Sequence, residues 1–152
     1  LNDTRLALAR EALGEVRTIN PRTEKVGDVI RAETEGGVGC DVAIECVGNE
    51  HALKNCADAV RKQGVVVQTG LHPGENPLNW FDVTFKDIDI RGSWAYPTHY
   101  WPRVARLIAS GQIPASRIVT KRVSLGEAVT EGFDQLLDPA GKHLKILIDL
   151  TR

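Results

Sequence analysis

Three cysteines, four histidines and one carboxylate inside an apolar run are the side chains of this sequence whose types suggest chemistry. Cys40, Cys46 and Cys56 contain no C-x-x-C pair, and His51, His72, His99 and His143 show no i, i+4 pair. Neither spacing is that of a metal site, so no metal ligand and no catalytic acid or base is assigned on this chain. His72 and His99 follow expected strands and are the two histidines placed to reach a ligand. Glu45 lies in Asp41-Val-Ala-Ile-Glu-Cys-Val-Gly48. A carboxylate buried there needs a partner or a proton, and a structural bond to a neighbouring loop is the expectation. The stronger chemical signal is in the backbone. Two Val- and Ile-rich runs, Asp41–Val47 and Val65–Thr69, each stop at a glycine. Cys46-Val47-Gly48 and Thr69-Gly70-Leu71 would then be the carboxyl ends of parallel strands, where open α/β sheets bind ligands. Small residues at such ends let a flat ring approach the backbone.

The elements that must position these ends follow from periodicity. Between the two runs, Ala52, Leu53, Cys56, Ala57 and Val60 form one helical stripe, with Asn49 as cap and Arg61 and Lys62 at the negative end of the dipole. Strand, helix, strand is a right-handed parallel βαβ unit. Helices are also expected over 1–14, 23–35 and 102–110, and behind the capping-box pair Ser124 and Glu127. Strands are expected over 16–19, 88–94, 117–123 and 144–150, and 72–80 reads as a loop with two prolines. Gly36-Gly37-x-Gly39 follows a helix and precedes a strand, the wrong order for a phosphate loop. Alternation over four cycles argues a doubly wound α/β sheet. The first element is a helix, so the expectation is that the central first strand of such a sheet is missing from this sequence.

The totals narrow the class. The net charge of −1 offers no basic face for nucleic acid or anionic membrane. No apolar run approaches the ~20 residues of a membrane helix. Unpaired thiols in odd number suit a reduced, cytoplasmic protein. The chain begins at Leu1 and holds no methionine, so the expectation is that it is part of a longer translation product.

Three stretches, Asp41–Gly48, Gly64-Val-Val-Val-Gln-Thr-Gly-Leu71 and Lys86-Asp-Ile-Asp-Ile-Arg-Gly-Ser-Trp-Ala-Tyr96, resemble the medium-chain zinc-type alcohol dehydrogenase family, nearest its sorbitol and butanediol dehydrogenase branch. Asp3-Thr4-Arg5-Leu6 with Leu13-Gly14, and Ser124-Leu125 through Leu144-Lys145-Ile146, resemble its flanking segments in the same order. The resemblance implies an incomplete Rossmann-type doubly wound parallel sheet lacking its first strands. Residues 1–115 would be the partial dinucleotide-binding domain, and 116–152 the return toward a catalytic domain not in this sequence. The implied cofactor is NAD or NADP. Zinc is expected only in the upstream part.

The same resemblance implies individual roles. Cys46 and Val47 match positions lining the adenine- and ribose-side cleft, and Thr69, Gly70 and Leu71 the turn beneath the nicotinamide. Ser93 and Ala95 match backbone groups that hold the carboxamide, with Trp94 between them. Lys145 matches a basic residue that reaches the pyrophosphate. Arg5 falls near the adenosine end, where it would stack or meet a 2′-phosphate, or else be an ordinary exposed helix residue. Tyr96, Tyr100 and Trp101 either border the substrate or pack their loop. A homo-oligomeric, sheet-to-sheet dimer contact is implied near Asn76–Asn79 and Ile88–Trp94. The implied reaction is oxidation of a small secondary alcohol or polyol by hydride transfer, with the isolated chain inactive. The alternatives are a zinc-free medium-chain enone or quinone reductase and a non-enzymatic nucleotide-binding half-domain.

Overall fold

A computed structural model describes residues 2–151. The elements in chain order are α1 (Asp3–Leu13), α2 (Val26–Glu33), β1 (Cys40–Glu45), α3 (Glu50–Ala59), β2 (Val60–Gln68), α4 (Trp80–Lys86), β3 (Asp89–Gly92), α5 (Trp101–Ala109), α6 (Ala115–Ile118), β4 (Val119–Ser124), α7 (Asp134–Leu137) and β5 (Lys145–Asp149). Short 3₁₀ turns and one π turn, Ala128–Phe133, fill several connections. The chain divides into two compact units, residues 21–97, and residues 1–20 with 98–152.

In the 21–97 unit, strands pair in the order β1-β2-β3, and every pair is parallel. Register places Glu45 beside Gln68 and Gln68 beside Gly92, so the three carboxyl ends finish level. Val60, Val66 and Ile88 form the buried core, with Leu53 and Cys56 of α3 and Val83 of α4 packed on it. In the other unit β4 and β5 form a parallel pair. Asn2 caps α1 by accepting the Arg5 N–H at 3.1 Å, and the Ser124–Glu127 capping box forms as expected. The α/β alternation with parallel ladders is the expected fold class, realised here as two separate ladders.

Several boundaries are corrected. Residues 16–19 form no strand: no described strand lies beside them, and the Val16 N–H turns back to the Gly14 carbonyl at 2.8 Å. The helix expected over 23–35 is shorter, Val26–Glu33, because Lys25 and Thr34 on either side of it are extended (Thr34 at φ −106°, ψ 146°), and Gly36 and Gly37, both at φ +67°, then turn the chain. The strand expected from 117 starts at Val119, after the helical turn α6. The stripe behind Ser124 is broken into a 3₁₀ turn, the π turn and α7. Helix α4 had no counterpart in the sequence reading. Asn79 caps it by accepting the Phe81 N–H at 3.2 Å, and Asp87 ends it in the left-handed region at φ 56°.

Arg61 and Lys62 do not end α3 as expected. Cys40 pairs with Val60, drawing the chain into β2 from Val60 onward. Arg61 then meets Asp41 at 2.6 Å, and Lys62 lies 4.5 Å over the Phe85 ring. The cation at the carbonyl end of α3 comes instead from Lys86. Its Nζ donates to the carbonyls of Ala57 at 2.9 Å, Asp58 at 2.8 Å and Val60 at 3.1 Å. An ammonium donating to carbonyls at and just past a helix end is stabilising both as a hydrogen-bond donor and against the dipole, and the Asp58 carbonyl accepts from Arg31 as well, at 3.0 Å. Replacing Lys86 by Met is therefore expected to destabilise the protein by about 2 kcal/mol, on the scale of a charged hydrogen bond. Urea denaturation with an unchanged slope checks this; a midpoint equal to wild type would refute it.

Candidate functional site

Parallel pairing brings three chain reversals to one edge of the 21–97 unit: residues 46–48 after β1, 69–72 after β2 and 93–95 after β3. The first two are in backbone contact. Gly48 has φ +81°, and a Cβ there would strike the Leu71 backbone. A Cβ on Gly70 would strike the Gly48 amide and the Glu45 carboxylate. Glycine is required at both points by close approach, and at Gly48 also by its dihedral.

Glu45 holds these reversals together. It is 1% exposed and is the buried charged residue of the described chain. Its Oε1 accepts the N–H groups of Val47 at 2.7 Å and Gly48 at 2.9 Å. Its Oε2 accepts the Gln68 side-chain amide. Its backbone carbonyl accepts the N–H groups of Thr69 and Gly70, both at 2.9 Å, and the Thr69 hydroxyl at 2.9 Å. His72 Nε2 lies 3.4 Å from Oε2, a contact that is ionic only with the ring protonated; neither buried ring nitrogen makes a hydrogen bond. Burial by itself would raise the carboxyl pKa. The Gly48 and Val47 amides, the Gln68 amide and the nearby His72 outweigh burial and hold it below the ordinary glutamate value.

The expected site residues are distributed as follows. Cys46 and Val47 are exposed at the first reversal, and the Thr69 hydroxyl also lies 3.4 Å from the Cys46 sulfur. Leu71 is 68% exposed, and Thr69 and Gly70 are half-buried beneath it. The Ser93 N–H donates to the Gln68 carbonyl at 2.9 Å, extending the β2–β3 ladder by one bond. Trp94 is 80% exposed, and Ala95 has φ +47°. These eight residues share one unit and one strand-end edge. Arg5, in α1 with its Nε buried and without a hydrogen bond, and exposed Lys145, at the start of β5, belong to the other unit.

Of the remaining candidates, His99 packs on Tyr100 at 4.6 Å between ring centroids, and His143 Nδ1 meets the Thr120 hydroxyl at 3.2 Å. His51 is exposed beside Glu50. Among the described residues no group of three or more His, Cys, Asp or Glu gathers as a metal-holding set. The three cysteines are unpaired. Burial pushes the Cys56 thiol up to about 11 and the Cys40 thiol upward, so both are packing groups. Sequence reasoning singled out Glu45 for its odd placement but missed Gln68, whose signal was a polar residue closing an apolar strand.

The lowered pKa of Glu45 makes stability depend on pH. Its stabilising contribution is complete above the unfolded-state value, about 4.3, and is lost as pH falls through the lower folded-state value. Glu45→Gln should therefore be less stable than wild type near neutral pH, the gap closing below about pH 4. Thermal unfolding across the acid range measures this, and a gap independent of pH would contradict it.

Comparison with known proteins fits this architecture. The family described as zinc-binding dehydrogenase matches residues 1–110. An L-threonine 3-dehydrogenase of Ruegeria pomeroyi is 30% identical over 99% of this chain and 43% of its own length. The L-arabinitol 4-dehydrogenase of Hypocrea jecorina is 31% identical over 97% of this chain and 40% of its own. The crystal structure of 2R,3R-butanediol dehydrogenase from Bacillus subtilis superposes with a TM-score of 0.84 at 27% identity, over 97% of this chain and 41% of that one. A zinc-binding dehydrogenase structure from Sinorhizobium meliloti, bound to NADP, gives 0.73 at 30% identity, over 96% of this chain and 42% of that one. The chain thus spans about two-fifths of the proteins it matches. On the family match over most of its length, this chain belongs to the zinc-binding dehydrogenases.

Proposed function

We propose that this chain is the cofactor-binding part of an NAD(P)-dependent dehydrogenase that oxidises a small secondary alcohol or polyol to a ketone. The observation that carries this reading is the strand-end edge itself. Three parallel strands finish level, with exposed Cys46, Val47, Leu71 and Trp94 around backbone reversals closed by Gly48 and Gly70. Such an edge suits a flat, extended ligand, and a relative of similar size of match was crystallised with NADP. Cys46 and Val47 would line the adenosine side. Thr69, Gly70 and Leu71 would lie beneath the nicotinamide. The Ser93 N–H is already engaged, so its carbonyl and the Ala95 backbone would hold the carboxamide. Lys145 would meet the pyrophosphate and Arg5 the adenosine end. The dinucleotide, when bound, supplies the hydride acceptor.

The domain partition proposed is 1–115 for the dinucleotide-binding portion and 116–152 for the return segment. Zinc would be held by the part of a zinc-binding dehydrogenase that this chain does not span. β3 is the terminal strand of its sheet and wholly exposed, which supports pairing with a second copy there and near Asn76–Asn79. No helix among the described residues is long and apolar enough to cross a membrane, and a cytoplasmic, homo-oligomeric enzyme is the proposed setting. The butanediol, arabinitol and threonine dehydrogenase matches favour alcohol oxidation over enone or quinone reduction.

The full gene product carrying this chain is expected to reduce NAD or NADP with 2,3-butanediol, a polyol or threonine, and to lose that activity on chelation. The 152-residue chain alone should show none. Reduced-nicotinamide absorbance checks both. Chelator-insensitive reduction of enones would shift the reading to a reductase, and zinc-dependent turnover by the chain alone would refute the division of labour.

A further inference from the structure

Resting on that reading, we propose that Glu45 is a positioning residue for the cofactor, acting through Gln68 to fix the Gly70 turn on which the nicotinamide end would rest. The two oxygens of the Glu45 carboxylate serve different reversals. Oε1 is taken by the Val47 and Gly48 amides. Oε2 is taken by the Gln68 side-chain NH₂, which also donates to the Gly70 carbonyl at 2.8 Å. The same NH₂ group therefore links a buried charge to the exposed turn. Its orientation is dictated by that charge: turned over, the Gln68 Oε1 would face two acceptors, the carboxylate and the Gly70 carbonyl. In the orientation observed, Gln68 Oε1 is buried without a hydrogen bond. An orphaned acceptor of this kind is tolerated only where the other end of the amide is firmly held.

The consequence of removing the charge is directional. In Glu45→Gln the new side chain still presents an oxygen to the two amides of Val47 and Gly48, because two donors there outweigh one. Its NH₂ then meets the NH₂ of Gln68. Gln68 must turn over to accept, which sets its oxygen against the Gly70 carbonyl and releases that turn. The adenosine-side reversal keeps its bonds and the nicotinamide-side reversal loses one. A general packing defect would have no such preference.

The test uses the full gene product and the Glu45→Gln and Gln68→Ala variants, each held well below its own unfolding midpoint. NADH and NADPH are titrated by nicotinamide fluorescence. ADP-ribose and its 2′-phosphate, which lack the nicotinamide, are titrated by calorimetry. Both variants should weaken the reduced dinucleotide by about tenfold, the upper end of the worth of one amide–carbonyl bond, while the matching ADP-ribose stays within about threefold, under 1 kcal/mol. Equal weakening of both ligands, or no weakening of either, would overturn the positioning role. If Glu45→Gln fails to fold, Gln68→Ala decides alone, since it cuts the same link from its other end. A wild-type protein that binds neither dinucleotide would instead bring down the proposed function, an outcome distinguishable from a wild type that binds well with variants that match it.

Discussion

An ionised carboxylate withdrawn from water must have its charge answered, and in this protein that requirement organises the strand-end edge. Glu45 closes β1 at 1% exposure. An uncompensated carboxylate there would cost several kcal/mol or take up a proton. It is answered by two backbone amides from the following reversal and by one side-chain amide from β2, with the His72 ring 3.4 Å away. Its own carbonyl closes the reversal after β2. Two connections far apart in sequence are thereby made parts of one polar cluster. The hydrophobic core of Val60, Val66 and Ile88 fixes where the strands lie. Glu45 fixes how their ends turn.

The glycines follow from that compaction. The reversals at 46–48 and 69–71 approach so closely that a Cβ on either Gly48 or Gly70 would meet backbone. The approach is what allows a single carboxylate to reach both. It also leaves Cys46, Val47 and Leu71 standing outward. A similar economy holds at the opposite end of α3. There Lys86 occupies the carbonyls of Ala57, Asp58 and Val60, joining α4 to the start of β2 through one ammonium. The βαβ unit is thus pinned by one buried anion at its strand-end edge and one cation at the far end of its helix.

What was legible in the sequence was whatever the local chain decides. The apolar runs around Ile44 and Val66, the Asn49 and Asn2 caps and the Ser124–Glu127 box all read directly, because period and capping are local properties. Residues 16–19 read as a strand by composition, yet a strand exists only with a neighbour, and no described strand provides one. Arg61 and Lys62 read as a helix end because the pairing of Cys40 with Val60, which decides where β2 starts, is non-local. Helix α4 was missed because Trp80, Phe81 and Phe85 are exposed, so its apolar residues do not trace an inward stripe. At the site, Glu45 announced itself as an acid in an apolar run. Its partner Gln68 did not, and His72 stood out only as a loop histidine, since which polar groups meet a buried charge depends on register, and register is a property of the assembled sheet.

The chemistry of Glu45 also limits what it can do in turnover. A general base must have a lone pair directed at the proton it removes and a pKa near the working pH. Both oxygens of Glu45 are already accepting from protein donors, and its pKa is held below the ordinary value. Protonating it would oppose several hydrogen bonds at once, so it stays an anion through the neutral range. Its negative charge is meanwhile shared among inward-facing amides and shielded from the exposed face. It shapes the surface a dinucleotide would meet without entering acid–base chemistry there. The described residues at that edge otherwise offer backbone amides and carbonyls, the Thr69 hydroxyl, the Cys46 thiol and the apolar faces of Val47, Leu71 and Trp94. That inventory suits binding and orienting a ligand, as the proposed function requires, rather than acid–base chemistry.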